Sequence, residues 1–226
     1  MKTSICAVAV AFAMGLPVFG RTFYVNCRLD DYTGHDGTAP ELAFETIQQG
    51  IEKCAYAGGD EVVVYPGVYD KGLPRYYNPE TGQHWWRSSR IRVGDRDVTI
   101  RSTGGADVTH IVGAHDPETE DGFGTNAVRC IDVEKNLSST RKVRFEGFTI
   151  RDGSTANETS CPGQGGAVMA SSGSNEGNPD VYFVDCVFSN CQAADSVFQG
   201  GTYVRCLIAD NNFRKAPVAS SVIVCR

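Results

Sequence analysis

Hydrophobic residues in this chain come in short runs separated by Gly, Asp, Asn and Ser, with one early stretch at helical spacing. That pattern predicts many short strands and a single amphipathic helix. Residues 22–26 (Thr-Phe-Tyr-Val-Asn) read as a strand, followed by a polar loop from Asp30 to Gly37. Thr38 and Glu41 have capping-box spacing, and Pro40 suits a first helical turn. Phe44, Ile47, Ile51 and Cys54 then form one apolar stripe, which Gly58-Gly59 ends. A helix with one apolar stripe needs a surface to cover, and the open end of a sheet stack supplies one. Asp60 to Asp70 reads as a buried strand, a Pro-Gly turn and a second short strand. An insertion over 73–90 follows, and beyond it only short β segments recur.

The late segments repeat. Ala167–Ala170 aligns with Ser196–Gln199 and with Ala216–Ala219, and Val181–Cys186 aligns with Thr202–Cys206 and Ser220–Cys225. Ala127–Cys130 with Val143–Ile150, and Ile91–Val93 with Val98–Ile100, fit the same two-strand frame. No unit is long enough to bury its own apolar face, so the units are expected to stack as coils around a continuous core. Insertions at 115–125 and 152–163 then project as loops. A β-sandwich would also give many short strands, but it explains neither the repeat nor the early helix.

Phe23 to Gly72 resembles the opening of the pectin-lyase-like superfamily. The likeness rests on the Tyr24-Val25 strand, the Gly/Asp loop, the helix over 44–48 and the Val62–Tyr69 segment with its Pro-Gly turn. Phe145–Gly153 and Cys186–Asn190 resemble its coil repeats. The resemblance implies an all-β fold, a right-handed parallel β-helix, with an N-terminal cap over 21–60 that includes the α-helix and coils over 61–226. It is specific for fold and weak for activity, because the superfamily holds lyases, hydrolases, esterases and non-catalytic surface proteins. The chain stops mid-coil at Arg226, so the expected β-helix is C-terminally incomplete. Its open end is expected to meet a partner chain or a second copy of itself.

Composition narrows the setting. Hydrophobic residues at 41% and charged residues at 21% describe a globular chain. A net charge of −6 argues against nucleic-acid binding, which needs clustered Lys and Arg against phosphate. Residues 1–20 read as a signal peptide: Lys2 supplies the positive region, Ile5–Leu16 an uncharged apolar run, and Val18 and Gly20 the cleavage pattern. The apolar run is well short of the roughly 20 residues that span a bilayer, so no membrane span is expected and the mature chain is placed outside the cell or at its surface. Eight cysteines remain after the leader: Cys27, Cys54, Cys130, Cys161, Cys186, Cys191, Cys206 and Cys225. An even number in an exported chain permits disulfides, with Cys186–Cys191 and Cys27–Cys54 as possible pairs and a stacked ladder of unbonded thiols as the other reading.

The candidate chemistry is thinner. The ordered carboxylate motifs of superfamily polygalacturonases are missing, and no Gly-x-Ser-x-Gly elbow occurs. The resemblance implies, for a lyase, an Arg or Lys base with Ca²⁺ held by carboxylates. Candidates are Arg101, Arg129, Arg144, Arg151 and Asp152, with Arg129, Arg144 and Arg151 expected to share a face. Asp30, Asp31 and Asp36 offer a Ca²⁺ loop or, more simply, Asx turns, and the acidic loop of Asp116, Glu118, Glu120 and Asp121 poses the same choice. The 73–90 insertion places Tyr76, Tyr77, Trp85 and Trp86 among Arg75, His84 and Arg87, a composition suited to stacking on sugar rings and pairing with uronates. The expected partner is an acidic extracellular polysaccharide, bound or cleaved by lyase-like chemistry. The alternative is a non-catalytic surface protein of adhesin type, or an inactive truncated paralogue.

Overall fold

In the three large sheets every strand pair is parallel, and each strand pairs with the strand one circuit away rather than with its neighbour in sequence. The computed structural model describes residues 20–72, 76–78, 83–85, 88–134, 139–155, 164–171, 180–213 and 223–224. A seven-stranded sheet takes Thr22–Val25, Asp60–Val64, Val98–Ser102, Val143–Glu146, Val181–Val184, Thr202–Val204 and Ile223–Val224 in order. A five-stranded sheet takes Gly67–Tyr69, Thr109–Val112, Thr149–Arg151, Val187–Ser189 and Leu207–Ala209. A four-stranded sheet takes Ser89–Val93, Arg129–Glu134, Val168–Ser171 and Phe198–Gln199. The chain visits these three sheets in turn and then repeats. The result is a parallel β-solenoid, the architecture that short, self-insufficient repeats require.

Register places like residues above like. Phe23, Val62, Ile100, Phe145, Phe183 and Tyr203 form one inward column of the seven-stranded sheet. Tyr69, Ile111, Ile150, Phe188 and Ile208 form the facing column of the five-stranded sheet. Ile91, Ile131, Val168 and Phe198 line the third wall. Phe183 stacks on Phe145 at 5.3 Å and on Tyr203 at 5.1 Å, with interplanar angles of 10° and 13°. In-register strands about 4.8 Å apart hold the rings near stacking distance, so each circuit supplies the surface on which the next one packs.

The corners between sheets need left-handed backbone. Gly147, Asp185 and Arg205 have φ of 72°, 52° and 52° at one corner, and Asp152, Asn190 and Asp210 have φ of 60°, 50° and 54° at the next. Asp and Asn are the side chains that tolerate this region best.

The N-terminal cap differs from its sequence reading in one respect. Pro40–Leu42 form a 3₁₀ turn, and the α-helix is Ile47–Lys53. Its capping box is Thr46 with Gln49, not Thr38 with Glu41. Thr38 instead donates to the Asp36 carboxylate. Phe44 cannot begin a helix, because its amide donates to Tyr24 O at 2.9 Å and its carbonyl accepts from Asn26 N at 2.8 Å, an extended bridge beside Val25. The apolar stripe still faces the stack. A Cβ at Gly50 would lie 2.9 Å from Val62 Cγ1 and 3.0 Å from Val25 Cγ2, so glycine permits the close seat.

One alignment also shifts. Val168 pairs with Phe198 rather than with Val197, one residue from the sequence alignment, while Ala216–Ala219 lies outside the described residues. Cys27, Cys54, Cys130, Cys186, Cys191 and Cys206 are free thiols, so neither Cys186–Cys191 nor Cys27–Cys54 is bonded. Cys161, Cys225, the leader up to residue 19 and the expected open end at Arg226 lie outside the described residues. Among the described residues no helix is long and apolar enough to cross a membrane.

Candidate functional site

Side chains on the outer face of the seven-stranded sheet follow the same register as the core. One outward row runs Thr22, Glu61, Thr99, Arg144, Tyr182 and Thr202. The next runs Tyr24, Val63, Arg101, Glu146, Val184 and Val204. Asp97 and Lys142 immediately precede two paired strands, and Val98 N donates to Lys142 O at 3.0 Å across them. Here Asp97, Thr99, Lys142, Arg144 and Tyr182 line an open groove of about 410 Å³.

The charges in this face are interlocked. Arg101 Nε donates to Glu61 Oε1 at 2.5 Å across the ladder, and Glu61 holds the guanidinium charge more firmly than usual. Arg144 Nε donates to Glu146 Oε1 at 2.5 Å along its own strand. Lys142 is exposed and forms no ion pair among the described residues. The groove therefore presents one free ammonium, one partly exposed guanidinium, a tyrosine ring and a threonine hydroxyl, with Asp97 at its margin. A compact cation beside a planar fork and an aromatic face suits a carboxylated sugar.

The candidate arginines do not converge. Arg129, Arg144 and Arg151 stand on the four-, seven- and five-stranded sheets respectively. Strands a short distance apart in sequence occupy different faces of one circuit, while residues a full circuit apart share a face; the expectation of a common face is overturned for that reason. Arg129 is 1% exposed and its Nε donates to Gln164 O at 3.0 Å. Arg151 pairs with its neighbour Asp152, whose other oxygen accepts from Asn190 Nδ2 at 2.7 Å. These two are cross-circuit braces. An arginine locked to a carboxylate stays protonated, so it serves as an anion ligand and not as a base.

The acidic loops are likewise spent on backbone. Asp31 Oδ1 accepts from Thr33 N at 2.8 Å and Asp36 Oδ1 from Thr38 N at 3.0 Å, both Asx turns. Asp30 joins neither carboxylate in a cluster: among the described residues no three His, Cys, Asp or Glu side chains converge on a metal position. Buried Asp116 accepts from the amides of Asn126 and Glu118, both at 2.9 Å, and these hold its carboxyl below the usual range. Gln192 Nε2 donates to Asp121 O at 2.8 Å and to Ser154 Oγ at 3.1 Å, which ties the same loop down to the later circuits.

The aromatic insertion contains an antiparallel pair, Tyr76–Asn78 with Gln83–Trp85, in which Tyr76 lies opposite Trp85 and Tyr77 opposite His84. Trp86 and Arg87 lie outside the described residues.

Sequence reasoning missed Lys142, Tyr182, Thr99 and Asp97. The signal was present: Val98, Val143 and Val181 align as strand starts, and that alignment puts Asp97 beside Lys142 and Thr99 beside Arg144 and Tyr182. It is visible only once the circuit, and not the linear neighbourhood, is taken as the unit. The chain matches no family model, no curated protein and no solved structure.

Proposed function

We propose that this chain is an exported β-helix protein that binds an acidic extracellular polysaccharide along the outer face of its seven-stranded sheet. The observation that carries the proposal is the open groove in which unpaired Lys142 stands beside Arg144 and Tyr182. Uronate carboxylates would meet Lys142 and the open edge of Arg144, and a sugar ring would stack on Tyr182. The leader pattern at 1–20 supports export, and the cap and coil motifs support a right-handed coil of the pectin-lyase-like kind, the hand that parallel crossovers almost always take.

Catalysis is the finer part of the proposal. A lyase needs a neutral amine or guanidine as base, and Arg101, Arg144 and Arg151 are each held by a carboxylate. Lys142 is the groove's one amine free for that role. The same pairing favours the second reading, a surface protein that holds glycan without cleaving it.

Affinity electrophoresis through gels containing polygalacturonate, with a neutral glucan as control, tests binding. Retardation by the anionic gel alone is expected, and the double variant Lys142→Ala/Arg144→Ala should weaken it about tenfold, ~1.4 kcal/mol. Equal migration in both gels would remove the proposal. Ultraviolet absorbance of unsaturated uronate products, followed with and without Ca²⁺, separates the two readings: a rise assigns lyase chemistry, and a flat trace from a chain that binds assigns the surface role.

A further inference from the structure

Two cysteines, twenty residues apart, occupy the same corner on successive circuits. Val184 pairs with Val204 and Val187 with Leu207, so the intervening residues, Asp185-Cys186 and Arg205-Cys206, are also in register. Leu207 N donates to Cys186 O at 3.0 Å, which continues the ladder through the corner. The backbone turns the same way in both, with φ of 52° at Asp185 and at Arg205. The outward side chains of this corner already bridge the circuits: Arg205 Nε donates to Asp185 Oδ1 at 2.6 Å. The next side chains point the opposite way, into the core, where Cys186 is 1% and Cys206 5% exposed. Backbones of neighbouring parallel strands lie about 4.8 Å apart, inside the roughly 4.4–6.8 Å between Cα atoms that a disulfide spans. Closure needs the Cβ atoms to draw together by about 1 Å.

We propose that Cys186 and Cys206 form a modification site, a thiol pair that closes into a disulfide and staples two circuits at their shared corner. Cys130 and Cys191 also meet in the core, both beside Gly153: Gly153 N lies 3.4 Å from Cys191 Sγ, and a Cβ at Gly153 would lie 2.8 Å from Cys130 Sγ. They share no ladder position, so strand pairing does not hold them in register as it holds Cys186 and Cys206.

The oxidant is a low-molecular-weight disulfide such as oxidised glutathione. Cys206 supplies the attacking thiolate: contact with the Cys186 thiol draws its pKa down, while burial pushes Cys186 up. The Cys206 sulfur attacks one sulfur of the oxidant, forms a mixed disulfide and expels one small thiolate. Cys186 then loses its proton, attacks the Cys206 sulfur and expels the second. Two protein thiols are oxidised, and one small disulfide is reduced to two thiols.

The test uses the full folded chain, incubated with oxidised glutathione, alkylated without reductant, and digested with trypsin and chymotrypsin. Cleavage after Arg205 and Phe188 separates Cys186, Cys191 and Cys206 into different peptides. The expected result is one crosslinked species joining the Cys186 and Cys206 peptides, two hydrogens lighter than their sum and lost on reduction. Oxidation should also raise Tm in the wild type, and the rise should vanish in both Cys206→Ala and Cys186→Ala. A map in which both thiols remain alkylatable, or in which Cys186 is joined to Cys191, overturns the proposal. Because the peptide map is made on the wild type, a folding defect in either variant does not change what it shows.

Discussion

Asp60 shows how one side chain can close the start of the stack. It is 3% exposed, and its carboxylate accepts from Arg21 N at 2.7 Å, Ala55 N at 2.8 Å and Arg21 Nη2 at 2.9 Å. Burial alone would raise its pKa, but the Ala55 amide and the Arg21 donors win and hold it below the usual carboxylate range. A folded pKa below the unfolded one means that the stabilisation is complete above the unfolded value, about 3.9, and is lost as pH falls through the folded value. Asp116 follows the same sign, with the amides of Asn126 and Glu118 as the cause. Asp60→Ala should therefore cost about 2 kcal/mol at neutral pH, the scale of charged hydrogen bonds lost. Urea titrations of wild type and variant should converge as pH is lowered below about 4. A constant gap across that range would show that the loss is packing and not charge.

At the scale of elements, Thr46 decides where the only α-helix among the described residues begins. Its side chain accepts from Gln49 N, and Gln49 Oε1 accepts in return from Thr46 N at 3.0 Å. Thr46→Ala should lower stability by about 1 kcal/mol, read as a drop in the urea midpoint at unchanged slope; a neutral result would mean that the apolar seat under Gly50 holds the helix without its cap. The sequence carries two box spacings here, Thr38-x-x-Glu41 and Thr46-x-x-Gln49, and propensity cannot choose between them. The choice is made by Phe44, whose extended bridge to Val25 is a long-range contact. The stripe of Phe44, Ile47, Ile51 and Cys54 was legible because burial of that face does not depend on where the first turn starts, and all four are buried. The coil strands were legible for the same reason: Val98, Val143 and Val181 mark their starts by composition alone. The candidate site was not. Its members come from three successive circuits and are joined by strand pairing, which linear spacing encodes only when every loop between repeats has the same length. Here the connections that follow Arg151 and Ser189, at the same corner of successive circuits, differ in length, so linear spacing does not set the register of Val168 with Phe198.

The whole molecule is a stack in which each circuit touches only the circuits above and below, so its stability is a sum of local terms and interfaces. The aromatic column is uneven. Phe145, Phe183 and Tyr203 stack ring on ring, and Phe188 meets Phe183 and Tyr203 edge-on at 5.5 Å and 5.4 Å. The corresponding positions of the two preceding circuits hold Val62 and Ile100. Phe183 is the ring that both neighbours need, and it is fully buried. Truncating it removes ring surface from two interfaces at once and leaves a cavity that rigid strands on either side cannot collapse. Phe183→Ala should cost about 4 kcal/mol. In a globular core that loss would move the urea midpoint and leave the slope alone. In a one-dimensional stack it also cuts the coupling between the circuits before and after Val181–Val184, so the later ones should unfold first. The expected measurement is a lower midpoint together with a shallower apparent slope, and fluorescence and circular dichroism transitions that no longer coincide. The same truncation at Ile100, whose register neighbours are Val62 and Phe145, removes a smaller side chain and no stacked ring, and should shift the midpoint by less. A single coincident transition in Phe183→Ala, with the wild-type slope, would show that the circuits fold as one unit despite their nearest-neighbour contacts.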